Sequence, residues 1–77
     1  MGREEIFGKI LVKLRLERNL TQEKLAEMAS INEKHIQKIE HGYSPSLRTI
    51  IKLCDALDIS LHHFMFYIDI EYEKEKN

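Results

Sequence analysis

Residues 21–42 read TQEKLAEMASINEKHIQKIEHG, and the phase of their apolar side chains decides the fold. Leu25, Ala26 and Ala29 keep one helical period, while Ile36 and Ile39 keep another that is out of step with it. Ser30-Ile31-Asn32 separates the two. The stretch therefore predicts two short helices joined by a tight turn, with small Ala26 where they cross. Such a turn lets the second helix stand away from the body, which one continuous helix could not do. A helix held out in this way can enter the major groove of DNA.

The caps set the boundaries. Thr21 is a good N-cap for a helix over Gln22–Ala29, although Lys24 takes the place of the acid or amide that would complete a capping box. Asn32 caps the next helix, which runs to about His41 and ends at Gly42. Upstream, Phe7, Leu11, Leu14 and Arg18 share one face of a helix from about Arg3 to Arg18. Asn19 follows it and tolerates the left-handed conformation that ends helices. Downstream, GYSPS is a loop, because Pro45 disfavours helix at Ser44. Ser46 caps a fourth helix whose buried set is expected to be Leu47, Ile50, Ile51, Cys54 and Leu57. Ser60 caps a short fifth helix with Leu61, Phe64 and Met65 facing inward.

The fold class expected is all-α, a five-helix domain over residues 1–68 followed by a charged tail over 69–77. The tail has two readings. IDIEYE alternates with period two, as a short strand pairing with its twin would. Phe64, Ile68 and Tyr72 are spaced by four, as in a helical continuation. The alternation favours a strand or extended arm.

Totals are consistent with one small domain. The chain has 77 residues, 43% hydrophobic and 32% charged, and no apolar run near membrane-spanning length. A lone cysteine, Cys54, suits a reducing compartment, so a cytoplasmic location is expected. Net charge is −1, yet the tail holds four acids and two bases, leaving the other residues with a slight basic excess. A nearly neutral body can bind DNA when its bases share one face.

In this setting the sequence resembles the phage Cro/repressor-type (XRE) helix-turn-helix regulators over about residues 7–66. The likeness rests on LRLERNLTQEKLA at 14–26, on Ile36 with IEHG at 39–42, and on PSLRTIIKLCDALDISL at 45–61. By its compact single-domain length it is also similar to the controller proteins of restriction–modification systems. Ser30 and Asn19 stand where the family often has glycine; both are polar residues that serve in turns. The resemblance implies a five-helix domain that binds operator DNA as a dimer.

The exposed face of the third helix carries the candidate DNA-reading residues Asn32, Glu33, Lys34, His35, Gln37 and Lys38. Lysines suit guanine O6 and N7, Gln37 an adenine, and Glu33 a cytosine amino group or the rejection of wrong sequences. The resemblance aligns Glu33, Lys34 and Lys38 with base-reading positions and Gln22 with a phosphate contact. Gln22 also opens a helix, where backbone N–H groups and the dipole favour a phosphate. Tyr43, Ser44 and Arg48 are candidates for register-setting phosphate contacts. Arg3, Lys9 and Lys13 more often belong to the wet face of the first helix. Arg15 and Glu40 form, by resemblance, a structural ion pair fixing the angle of the third helix.

Apolar residues beyond the needs of the core, namely Val12 and Leu16 together with Phe66, Tyr67, Ile68, Ile70 and Tyr72, predict a homodimer interface. Two recognition helices would then enter successive major grooves of a near-palindromic operator. No cofactor, metal or small-molecule ligand is expected. His62 and His63 are adjacent and diverge on a helix, Cys54 lies on an apolar face, and no catalytic spacing appears, so an enzyme is not expected. The competing reading is a protein-interaction module, such as an antitoxin or adaptor on the same fold, favoured by the net negative charge and the apolar tail.

Overall fold

The computed structural model describes residues 2–76. The first and last residues of the two expected segments, 1 and 77, lie outside the described residues. Five helices follow in order, α1 (Arg3–Glu17), α2 (Gln22–Ala29), α3 (Glu33–Glu40), α4 (Leu47–Ala56) and α5 (Leu61–Lys76), and no strand occurs among the described residues.

Side-chain caps start the helices where the sequence places them. Thr21 Oγ1 accepts from Lys24 N at 2.9 Å, Asn32 Oδ1 from Lys34 N at 2.8 Å, and Ser60 Oγ from His63 N at 3.0 Å. Left-handed residues end them: Asn19 after α1, Ser30 after α2 and Asp58 after α4, with φ of 55°, 56° and 54°. A left-handed backbone is costly for most L-residues but tolerated by short polar ones, which hydrogen-bond locally. Asp58 performs for α4 what Asn19 and Ser30 do for α1 and α2.

Each helix gives one face to a single core of Ile6, Phe7, Ile10, Leu11 and Leu14 from α1, Leu25, Ala26 and Ala29 from α2, and Ile36 and Ile39 from α3. The C-terminal half adds Leu53, Cys54, Leu57, Phe64 and Ile68. Phe7 and Phe64 stack with centroids 4.7 Å apart, joining α1 to α5. Arg18 closes the far end, donating from Nε to Leu57 O at 2.8 Å and from Nη1 to Leu14 O at 3.1 Å. Burial, with Asp55 nearby, pushes the Cys54 thiol up to about 11, so it stays a neutral packing group.

The buried face of α4 differs from the expected one. Leu47 is 62% exposed and Ile51 42% exposed, whereas Leu53, absent from the expected set, is fully buried beside Cys54 and Leu57. Thr49 completes that face, and burying it is tolerable because Ser46 Oγ donates to its Oγ1 at 3.1 Å. The apolar positions of α4 support two overlapping stripes that share Ile50, Cys54 and Leu57. Packing against α2 on one side and α5 on the other selects the stripe through Leu53. In α5, Phe64 is buried and Met65 packs on the core, but Leu61 lies at the surface.

The fifth helix is not short, and the strand or extended arm favoured by IDIEYE is overturned. The helix runs unbroken to Lys76 because its four-residue spacing has a surface to lie on. Ile68 is buried and Tyr72 packs against the core, with the Arg3 guanidinium 3.9 Å from the centre of the Tyr72 ring. Arg3 also pairs with Asp69 at 3.4 Å and Lys9 with Glu75 at 3.2 Å. These exposed pairs orient the helix and add little stability.

Gly8 is the close-approach point of the fold. A Cβ built on it would lie 2.5 Å from Ile39 O and 3.1 Å from Glu40 O, so the α1 backbone rests on the last carbonyls of α3. Gly8→Ala must push the two helices apart. Urea denaturation is expected to show a loss of about 1–3 kcal/mol, against the small gain an alanine would give inside an unhindered helix.

Candidate nucleic-acid interface

The helix that sequence singles out for contact with a partner, α3, is built on a narrow apolar footing. Ile36 and Ile39 are fully buried, while Lys34, Gln37 and Lys38 project on the exposed side. Asn32, which caps α3, is also exposed. Glu33 and His35 flank the buried stripe and are half-buried, so they belong less to the outer face than the pattern suggested.

A polar anchor fixes the helix from behind. Arg15 Nε donates to Glu40 Oε2 at 2.7 Å and Nη2 to Oε1 at 3.2 Å, the two-pronged geometry that matches guanidinium to carboxylate. A third donor, Arg15 Nη1, reaches Leu20 O at 2.8 Å, holding the link between α1 and α2. The Arg15 and Glu40 side chains are only 12% and 6% exposed, so little water competes for them. Glu40 accepts once more, from Gln22 Nε2 at 2.8 Å. Sequence offers Gln22 as a phosphate contact; in the structure its side-chain amide joins α2 to the end of α3 inside this network. A residue that opens a helix and faces a neighbouring carboxylate gives no local signal of that partner.

Beyond α3 the chain turns back on itself. Gly42, with φ of 104°, lets its N–H reach Ile39 O at 3.0 Å, and Tyr43 N donates to Lys38 O at 2.9 Å. His41 Nδ1 lies 2.7 Å from Gln37 O. Tyr43, Ser44 and Arg48 are exposed on this side. Asn32, Lys34, His35, Lys38 and Tyr43 line a cleft of ≈ 330 Å³. The His35 ring meets that of Tyr43 edge-on, centroids 5.9 Å apart. Its Nε2 is closed off from solvent and has no hydrogen-bond partner among the described residues.

Of the apolar residues expected at a subunit interface, Phe66, Tyr67 and Ile70 are exposed, as is Leu16. Ile68 and Tyr72 are taken up by the chain's own core, and Val12 is half-buried. Tyr67 and Ile70 border a groove of ≈ 230 Å³ between α1 and α5, with Ile10 and Leu14 opposite. Among the described residues, no group of three or more His, Cys, Asp or Glu is placed to hold a metal ion, and no helix is long and apolar enough to cross a membrane.

Comparison with known proteins gives concordant results. A helix-turn-helix family profile matches residues 11–64. The restriction-modification controller protein C.AhdI from Aeromonas hydrophila is 34% identical, with a TM-score of 0.75, over 78% of this chain and 92% of that one. The wild-type restriction-modification controller protein C.Esp1396I superposes with a TM-score of 0.87 at 23% identity, over 96% of this chain and 97% of that one. The clp gene regulator ClgR from C. glutamicum gives 0.84 at 21% identity, over 92% and 94% of the two chains. At these lower identities the likeness concerns the fold. No curated protein matches the sequence.

Proposed function

The chain belongs to the XRE-type helix-turn-helix family, and from that premise we propose that it is a sequence-specific DNA-binding transcription regulator. It acts in the cytoplasm as a homodimer on a near-palindromic operator. The observation that carries this reading is the outward face of α3, with Lys34, Gln37 and Lys38 exposed above a helix pinned by Arg15, Glu40 and Gln22. Side chains on a rigidly held helix can meet base edges in a fixed register. Flexible ones would bind phosphates without reading sequence.

Tyr43, Ser44 and Arg48 follow α3 and supply the phosphate contacts that set the depth of entry. The start of α2 at Gln22 adds a positive helix end. Glu33, half-buried beside Asn32, either accepts from a cytosine amino group or repels sequences that lack one. The chain does its work by occupancy and not by catalysis. Affinity for duplex DNA is measured against salt: its logarithm falls linearly with log salt, by about 0.9 for each phosphate neutralised. A flat response would speak for a protein partner.

The exposed apolar residues of α5 fit a second copy of the chain. The groove between α1 and α5 carries Lys13 and Lys74 together with Glu17 and Glu71, a balanced rim that suits an isologous contact in which each sign meets its opposite. An Ile70→Glu variant is expected to sediment as a monomer at concentrations on the order of tens of micromolar, where the parent sediments as a dimer. Its helical circular dichroism should be unchanged, because Ile70 is a surface residue.

A further inference from the structure

The fifth helix is held to the body differently in its two halves. Its buried residues, Phe64 and Ile68, lie in the first half. Beyond Ile68 the helix rests on one half-buried ring, Tyr72, and on charges. Asp69 pairs with Arg3 at 3.4 Å, the Arg3 guanidinium lies 3.9 Å from the Tyr72 ring centre, and Glu75 pairs with Lys9 at 3.2 Å. The side chains of Arg3, Lys9 and Asp69 are more than half exposed, so salt reaches both pairs.

Those same turns carry the proposed subunit contact. Ile70, Glu71 and Lys74, three of the four residues that α5 gives to the groove of ≈ 230 Å³, follow Ile68 in the chain. Successive side chains on a helix are about 100° apart, which puts Asp69, Tyr72 and Lys76 on one flank and Tyr67, Ile70 and Lys74 on the other. The charged ties hold the first flank on α1 while the second borders the groove. Each exposed pair is worth little by itself, and a helix end without buried contacts opens at low cost.

We propose that the Arg3–Asp69 and Lys9–Glu75 pairs, with Tyr72 beside Arg3, form a salt-sensitive latch that sets the affinity of two copies of the chain for each other. Latched, the last turns of α5 keep Ile70 and Lys74 against α1, and the groove is complete. Released, those turns fray, and the groove loses three of its eight lining residues. A second copy binds the latched form, so assembly closes the latch and salt opposes it. The proposal rests on the homodimer reading above and adds a control to it. Ionic strength acts on operator occupancy through assembly as well as through phosphate contacts. Arg3 and Lys9 are positioning residues, since neither lines the groove.

The test measures dimer dissociation of the full chain without DNA, by sedimentation, at about 0.1 M and about 1 M salt, where charges are screened over about 10 Å and about 3 Å. Lys9→Glu sets like charges together at Glu75, and Lys9→Glu/Glu75→Lys restores an opposite pair. Relative to the parent, Lys9→Glu is expected to weaken the dimer about fivefold at the lower salt and less than about twofold at the higher. The exchanged pair should return to within about twofold of the parent at both. An unchanged dimer, a loss that ignores salt, or one that the exchanged pair fails to recover overturns the latch. Amide hydrogen exchange at dilutions where the parent is monomeric separates a released helix end from mere repulsion between like-charged copies. Residues 70–76 should exchange faster in Lys9→Glu than in the parent at low salt, and faster in the parent at high salt than at low; unchanged protection overturns the proposal. If the parent sediments as a monomer at tens of micromolar, the homodimer reading fails and the latch with it, and this is seen before any variant is compared.

Discussion

Replacing Glu40 with alanine is expected to lower the unfolding free energy by about 3–5 kcal/mol, because it strands Arg15 in a site almost closed to water. Small domains are stable by only about 5–15 kcal/mol, so the loss removes a large share of the total. Three donors converge on Glu40, two from Arg15 and one from Gln22, and all three lose their acceptor together. Arg15→Ala is expected to cost a similar amount. The pair Arg15→Ala/Glu40→Ala should cost less than the sum of the singles, since neither charge is then left alone. Urea denaturation of the four proteins measures this. Additive losses would mean that the pair is not coupled and that α3 is held by Ile36 and Ile39 alone.

Replacing both Lys34 and Lys38 with alanine is expected to weaken DNA binding at least about thirtyfold, at about 1–3 kcal/mol for each good base contact. Both side chains are exposed on α3, so thermal unfolding should be unchanged within about 0.5 kcal/mol. The effect is the opposite of that at Glu40, where stability falls first and binding follows from unfolding. The two lysines are also separable. One that reads a base relaxes preference at a single position of the site, whereas one that touches only phosphate weakens all sequences alike and reduces the salt slope by about 1. Fluorescence anisotropy with duplexes substituted at each position distinguishes these outcomes.

How far the fold can be read from sequence differs from element to element. The limits of α2 and the starts of α3, α4 and α5 are legible because Thr21, Asn32, Ser46 and Ser60 are strong caps, and because Asn19 and Ser30 stop helices by going left-handed. The buried face of α4 is not. Leu47 and Ile51 are more apolar than Thr49, and only the positions of α2 and α5 decide that Thr49 and Leu53 turn inward. The tail was ambiguous for a related reason. Ile68, Ile70 and Tyr72 satisfy both a two-residue and a four-residue rhythm, and the tie is broken by the contacts that Phe7 and Arg3 make on α1.

The candidate site shows the same division. The outward side chains of α3 follow from its period. The partners of Gln22 and His35 do not, because Glu40 and Tyr43 come to them by folding. Gly8 did carry a signal. A glycine inside a helix costs about 1 kcal/mol relative to alanine, so its presence among the buried positions of α1 marks a place where another backbone comes close.

The central claim is that the exposed face of α3 reads the edges of stacked base pairs. Selection of binding sites from random duplex DNA tests it most directly. The account predicts enrichment of one near-palindromic sequence whose half-sites lie about 10 base pairs apart, or a whole number of helical turns. It also predicts that the Lys34→Ala/Lys38→Ala protein enriches nothing from the same pool. A pool that stays random with the parent protein, or one from which parent and double variant recover the same sequence, would contradict it.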